Sequence, residues 1–425
     1  MILSPDKIST PDDDKQFARV QAVANDPPKL IETLMTLPAP LFTPPPLEEM
    51  QSRVMRLRVE MAQAGLDYLV AFDPDNIFYL TNFANYVHER PFIVVLGMDG
   101  PLQFLAPKLE VPHVRTRMVG DIEMVEYFEF PAPEGQNWFD RFGEMFKAGA
   151  KVGVEPTCPL HVFQAVPGQE QGRAVGCEII EDVRMVKSEF EIARIIYASN
   201  LATQTQNQVL ANAKVGQTLV EVGSQVRALM LMQVLADNPD TNMLATNVTG
   251  VFQPPSVSHD PHNFTNVNVA MENGGPHVSL INGTINGYGT EVERTFFLGH
   301  VPEKARRPFD TMMAARQLAF DLIKPGANMG EVDAAVNMLL KQAGYGDNLL
   351  HRTGHSIGVT GHEGPFLAEG YDRVIKPGMI FTVEPGVYIE GLGGFRHSDT
   401  VLVTDDGCVS LTPCPASLDE MTIAS

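Results

Sequence analysis

Four short polar clusters, each bracketed or followed by glycine or proline, constrain this chain more than anything else in it. They are Ser258-His259-Asp260-Pro261-His262-Asn263; Gly287-Tyr288-Gly289-Thr290-Glu291-Val292-Glu293-Arg294-Thr295-Phe296; Gly354-His355-Ser356-Ile357-Gly358 leading to Gly361-His362-Glu363-Gly364-Pro365; and Val383-Glu384-Pro385-Gly386 with Gly394-Phe395-Arg396-His397-Ser398-Asp399 after it. Between and beside them run β-rich stretches at 278–281, 293–298, 379–383, 387–389 and 400–403. Glycines around His355 and His362 permit close backbone approach. One such cluster carries little weight, but the ordered set points to a site.

The rest of the chain reads as a frame for that region. At 425 residues it is long for one core and suggests two or three domains. Residues 1–46, with Asp12, Asp13, Asp14 and prolines at 27, 28, 38, 40, 44, 45 and 46, read as a Pro-rich arm or a disordered segment. From Leu47, Met50, Val54, Leu57 and Met61 fall at helical spacing with arginines on the other face and Gly65 as a stop. Strands are predicted at 68–72, 92–96, 102–105, 122–127 and 151–154, the first closed by Asp73-Pro74-Asp75-Asn76. This is an α/β domain over 47–182. A second domain, 183–425, opens with capping boxes at Ser188–Glu191 and Thr218–Glu221 and continues through helices near 305–322 and 330–342.

Composition excludes several classes. Thirty-one basic residues against 52 acidic ones give a net charge of −21, which repels phosphate backbones and anionic membranes. Neither a nucleic acid nor a membrane is expected as partner. Cys158, Cys177, Cys408 and Cys414 show no ligand-like spacing and read as reduced thiols. The N-terminus has no basic region followed by an apolar one, and no apolar run approaches a membrane span, so the expected location is the cytoplasm.

Over about residues 50–420 the motifs, with the loop at Asn76 and the Val183-Arg184-Met185-Val186-Lys187-Ser188 domain entry, resemble the pita-bread superfamily of creatinase, prolidase, aminopeptidase P and methionine aminopeptidase. The resemblance implies an α+β protein: a C-terminal pita-bread domain preceded by a smaller α/β domain of creatinase type. The peptidases of that superfamily hold two metal ions through two Asp, one His and two Glu. In the matching stretches this chain has Ser279-Leu280-Ile281-Asn282 without a carboxylate, Glu291 for the second Asp, His355, Glu384, and Ser398 for the second Glu. Too few anionic oxygens remain to offset two dications. The favoured expectation is therefore no metal cofactor. The alternative is one divalent ion (Mn, Co or Fe) on Glu291, His355 and Glu384.

Creatinase works without metal, and this chain resembles it in Glu293-Arg294-Thr295, in His262-Asn263 and in Arg90-Pro91. By that resemblance Glu293 and Glu384 hold a cationic guanidinium or ammonium group, Arg90 holds a carboxylate, and His262 acts as base and then acid, a role suited to its pKa. His259 competes with His262 for that role. His355 and His362 complete the catalytic set, with Tyr288 and Arg396 as substrate-binding residues. The Arg that creatinase carries after its Gly-His-Ser motif is missing, so creatine itself is not the expected substrate. The leading expectation is a metal-independent hydrolase of a C–N bond in a small zwitterionic or N-substituted amino acid, acting as a homodimer. Behind it stand a metal-dependent Xaa-Pro peptidase with an atypical site, and a lyase or non-catalytic binding protein on the same fold.

Overall fold

A computed structural model describes residues 44–424. The predicted arm, apart from residues 44–46, lies outside the described residues. The chain divides into two compact units, whose described parts are 44–184 and 185–424.

The first unit opens with helix α1, Leu47–Ala64, which buries Met50, Leu57 and Met61 and ends on Gly65 in the left-handed region, as its periodicity predicts. Arg53 departs from that reading. It is buried, donating from Nε to Glu49 at 2.9 Å and from Nη1 to the Tyr79 carbonyl at 2.7 Å. The Asp73–Asn76 segment follows the end of the strand Tyr68–Ala71, as predicted, and in addition opens helix α2, Pro74–Thr81. Asp73 caps it by accepting from the Asp75 amide, and Pro74 stands where its missing N–H costs nothing. Strands β1 (Tyr68–Ala71), β2 (Ile93–Gly97), β3 (Leu102–Pro107), β4 (Ile122–Tyr127), β5 (Val152–Val154) and β6 (Ala174–Gly176) form one mixed sheet in the order β4-β3-β2-β1-β5-β6.

The second unit begins with two helices that both form their predicted capping boxes, α3 (Glu189–Ala211) and α4 (Leu219–Asp237). By length and composition α4 is apolar enough to cross a membrane, yet Val222, Val226, Met230 and Val234 are buried in the core that includes Val248 and Phe252. Strands β7 (Asn247–Gln253), β8 (Gly274–Ile285), β9 (Tyr288–Leu298), β10 (Gly354–Ser356), β11 (Glu363–Leu367) and β12 (Ile380–Val383) are followed by a separate hairpin, β13 (Gly386–Ile389) and β14 (Gly393–Arg396). Then come β15 (Ser398–Val403), β16 (Cys408–Ser410) and β17 (Thr422–Ile423). The main sheet runs β11-β10-β12-β15-β9-β8-β7, with β16 on β15 and β17 on β9. Helices α5 (Glu303–Leu322) and α6 (Met329–Leu340) share a core with Phe381, Val383, Val401 and Val403.

Register sorts the side chains. Asn282 faces Glu291 across β8 and β9, Leu280 faces Glu293, Ser398 faces Glu293 across β9 and β15, and Thr382 faces Thr400 across β12 and β15. Cross-strand partners share a face, so these residues, all polar except Leu280, form a row opposite the face covered by helices. Arg294 and Asp399 point to the helix side. Arg294, fully buried, bonds Asp399 Oδ1 at 2.9 Å and the carbonyls of Ser398, Pro415 and Cys414; Arg316 of α5 bonds Asp399 Oδ2.

Burial raises the Asp399 carboxyl, but the two guanidiniums outweigh it and bring its pKa down to about 2. A folded pKa below the ordinary 3.8 stabilises the fold at neutral pH, and that contribution is lost as pH falls from about 4 towards 2. Asp399→Asn leaves Arg294 buried without its counter-charge and is expected to cost about 3–5 kcal/mol. Urea unfolding from pH 7 down to pH 2 checks both points: the variant is less stable at pH 7, and it loses less stability than the wild type below pH 4.

Candidate metal centre

The polar row places Glu291 and Glu293 two residues apart on one face of β9. Glu291 is held at both oxygens: Ser398 Oγ donates to Oε1 at 2.8 Å and Asn282 Nδ2 to Oε2 at 3.1 Å. His355 comes from β10. A Cβ on Gly354 would collide with the Thr382 carbonyl, so only glycine lets β10 pack this closely on β12. The His355 amide then donates to Thr382 Oγ1 at 3.0 Å, and Nδ1 lies 3.0 Å from the Ser356 carbonyl. A carbonyl only accepts, so the ring proton belongs on Nδ1 and Nε2 carries a lone pair. Burial lowers the His355 pKa and keeps that ring neutral.

Nε2 faces Glu384 Oε1 at 3.3 Å, and Thr382 Oγ1 donates to the same oxygen at 3.0 Å. Two lone-pair acceptors at that distance are stable with a proton or a cation to share. Burial, followed by repulsion from Glu291, accordingly pushes Glu384 up to about 8. Ligand atoms of Glu291, His355 and Glu384 all lie within 4.8 Å of one another. Two carboxylates and a neutral imidazole with its lone pair turned inward fit one divalent ion.

Beside this triad runs a second chain of polar groups. Arg396 grips Glu293 through Nε and, at 2.6 Å, through Nη2; its Nη1 donates to Tyr388 Oη at 2.9 Å, which lies 2.7 Å from His351 Nε2. Burial works against the Arg396 charge, but Glu293, Tyr388 and Glu384 more than offset it and raise its pKa. Burial raises the Glu293 carboxyl well above its ordinary range, Arg396 only partly pulling it back, and the two bonds from the guanidinium favour its ionised form. Glu293 is thus filled by a guanidinium of its own chain. That corrects the expectation that it holds a cationic substrate group.

His362, exposed, stacks on His355 with ring centroids 3.7 Å apart, and its Nε2 lies 3.3 Å from Arg352 Nη2. Partial burial, then His355 and Arg352, lower its pKa to about 4. His262 is exposed and close enough for its charge to act on both His351 and His362. Tyr288 is buried, edge-on to Phe190. His397 is buried and structural, accepting from the Thr295 amide at Nδ1 with Nε2 on the Ala416 carbonyl. Arg90 belongs to the first unit, where it pairs with Glu129 at 3.0 Å and Glu89 at 3.4 Å. Sequence reasoning passed over His351 and Tyr388. Each stands four residues from a singled-out ligand, His351 before His355 and Tyr388 after Glu384.

Fold and centre together define a pita-bread protein with a creatinase-type domain in front. Residues 193–405 match metallopeptidase family M24, and residues 53–186 match the creatinase/prolidase N-terminal domain. The chain belongs to metallopeptidase family M24. It is 26% identical to the Xaa-Pro dipeptidase of Pyrococcus furiosus over 366 residues, 85% of this chain and 98% of that one. It is 28% identical to the probable dipeptidase PepE of Mycobacterium tuberculosis over 365 residues, 84% and 92% of the two chains. Among solved structures it resembles the prolidase of Pyrococcus horikoshii OT3 with a TM-score of 0.73 at 23% identity, covering 86% of this chain and 99% of that one. Dipeptidase PepE of Mycobacterium ulcerans gives 0.76 at 23%, covering 90% and 100%. At such identities the structural likeness speaks for the fold alone.

These findings overturn the metal-free expectation. The family is one of metallopeptidases, the relatives named above are dipeptidases, and the ligand atoms of Glu291, His355 and Glu384, the alternative one-ion set, do converge.

Tyr388 links Arg396 to His351, so Tyr388→Phe keeps the ring and removes only the bridge. It is expected to destabilise the fold by about 1–3 kcal/mol through the groups left unpaired. Chemical denaturation of the two proteins side by side measures it.

Proposed function

We propose that this chain is a metal-dependent peptidase that hydrolyses Xaa-Pro dipeptides. The observation that carries the reading is the convergence of Glu291, His355 and Glu384 on one point, in a chain related over most of its length to Xaa-Pro dipeptidases. Those three residues would hold a divalent ion, and when bound the ion supplies Lewis-acid polarisation of the scissile carbonyl.

The chain's own groups do the rest. Thr382 and Ser398 orient Glu384 and Glu291 from the protein side, so little reorganisation is needed on binding. Glu384, which burial and the neighbouring Glu291 push up to about 8, would be held ionised by the ion it ligates, so binding of the ion displaces a proton there. His362 stays neutral above about pH 4, so its exposed ring can donate or accept a hydrogen bond to the peptide without bringing charge. His262, on the same side as His362 and His351, is the other histidine assigned to the substrate. Arg396, clamped by Glu293, supplies fixed positive charge beside the carboxylates.

The test is hydrolysis of a panel of dipeptides by protein loaded with Mn or Co, before and after chelation. Xaa-Pro substrates are expected to be cleaved in preference to Xaa-Ala ones, and chelation or Glu291→Gln to remove activity by about a hundredfold or more. No Xaa-Pro cleavage by the loaded protein, or full activity after chelation, overturns the proposal.

A further inference from the structure

We infer that the centre binds a single divalent ion per chain and that the Arg396 guanidinium stands in place of a second cation. The inference rests on the metallopeptidase reading and goes beyond it, to the number of ions and to the residue that sets that number.

Among the described residues, Glu291, His355 and Glu384 are the one group of His, Cys, Asp or Glu side chains whose ligand atoms converge. A second ion would need further anionic oxygens beside them, and the neighbouring positions do not offer any. Glu293 is one step along β9 from Glu291, but both of its oxygens are engaged by Arg396. The cross-strand neighbours of Glu293 are Leu280 and Ser398. Leu280 has no ligand atom. The Ser398 hydroxyl is spent on Glu291 Oε1, and the Asn282 amide on Oε2. Each Glu291 oxygen already accepts one hydrogen, which uses about half of a carboxylate's four acceptor sites.

Charge leads to the same count. Counted as the ionised side chains that would face an ion, Glu291, Glu293 and Glu384 bring three negative charges and Arg396 one positive, leaving two. One dication cancels that remainder. A second would leave two uncompensated positive charges among residues that are all at most 9% exposed, a large desolvation cost. Arg396 is fixed at that place by three hydrogen bonds and is charged at every accessible pH.

The experiment is calorimetric titration of chelator-treated full-length protein with Mn2+ alone, with bound metal counted by plasma mass spectrometry. One ion per chain at saturation is expected. Two ions of comparable affinity overturn the inference and leave the metallopeptidase reading standing. No ion overturns both. Arg396→Met releases Glu293 and removes the fixed cation, so this variant is expected to take up a second equivalent and to gain thermal stability with it, whereas Arg396→Lys stays at one. A folded Arg396→Met protein that still saturates at one ion overturns the role given to Arg396. If that variant does not fold, the wild-type count still decides.

Discussion

Arg294 lies fully buried in the middle of β9, and its guanidinium is tied to Asp399 on the next strand and to carbonyls of the C-terminal segment. A strand carrying such a group admits one register. A slip by one residue would turn Arg294 to the polar side and drive Glu291 and Glu293 towards the core built by Val226, Phe252 and Ile281. Each unpaired buried carboxylate would cost several kcal/mol. The rungs Asn282–Glu291–Thr400 and Leu280–Glu293–Ser398 exist because the helix-side face of the same strands is locked in this way. The geometry of the centre is in that sense set from behind.

What the lock positions is electrostatically expensive. Three carboxylates gather in a buried place, where burial pushes Glu293 and Glu384 up, Glu384 to about 8. The cost is met by fixed donors and by the apolar layers that α3, α4, α5 and α6 lay over the sheet. Thr382, Ser398 and Asn282 each place a hydrogen on a carboxylate oxygen, and Arg396 places two on Glu293. Every one of these comes from the sheet or the β14 hairpin strand, so the array is pre-organised by strand pairing and not by loops.

Local signals were the legible part of the sequence. The capping boxes at Ser188 and Thr218, the stop at Gly65 and the strand at 122–127 depend on residues a few positions apart, and they are read correctly. Asp73-Pro74 is local too, but the pair serves equally as a turn and as a helix start, and here it caps α2. Arg53 could not be read: its burial depends on the Tyr79 carbonyl, which folds against it from a separate element. The centre shows the same divide. His355, Glu384, Glu291 and Glu293 were all identifiable from motif order. The partner of Glu293 was not, because Arg396 lies 103 positions away and meets it only through the β14–β15 corner. Counting absent ligands misled for a related reason. Spacing shows which positions lost a carboxylate, whereas whether the remaining three converge depends on the packing of β9, β10 and β12.

A fixed guanidinium and an exchangeable ion are different ways of neutralising a carboxylate cluster, and the difference has consequences for the fold. A centre that relied on two exchangeable dications would change its charge by four units between loaded and unloaded forms. With Arg396 built in, the unloaded cluster keeps one permanent counter-charge beside Glu293 and Glu384. An ion that binds deprotonated ligands releases protons from them and contributes to the stability of the fold that presents them. The unit's large apolar cores and the Arg294–Asp399 lock owe nothing to the ion. The orientation of Glu291, His355 and Glu384 thus rests on packing and strand pairing that the protein supplies by itself.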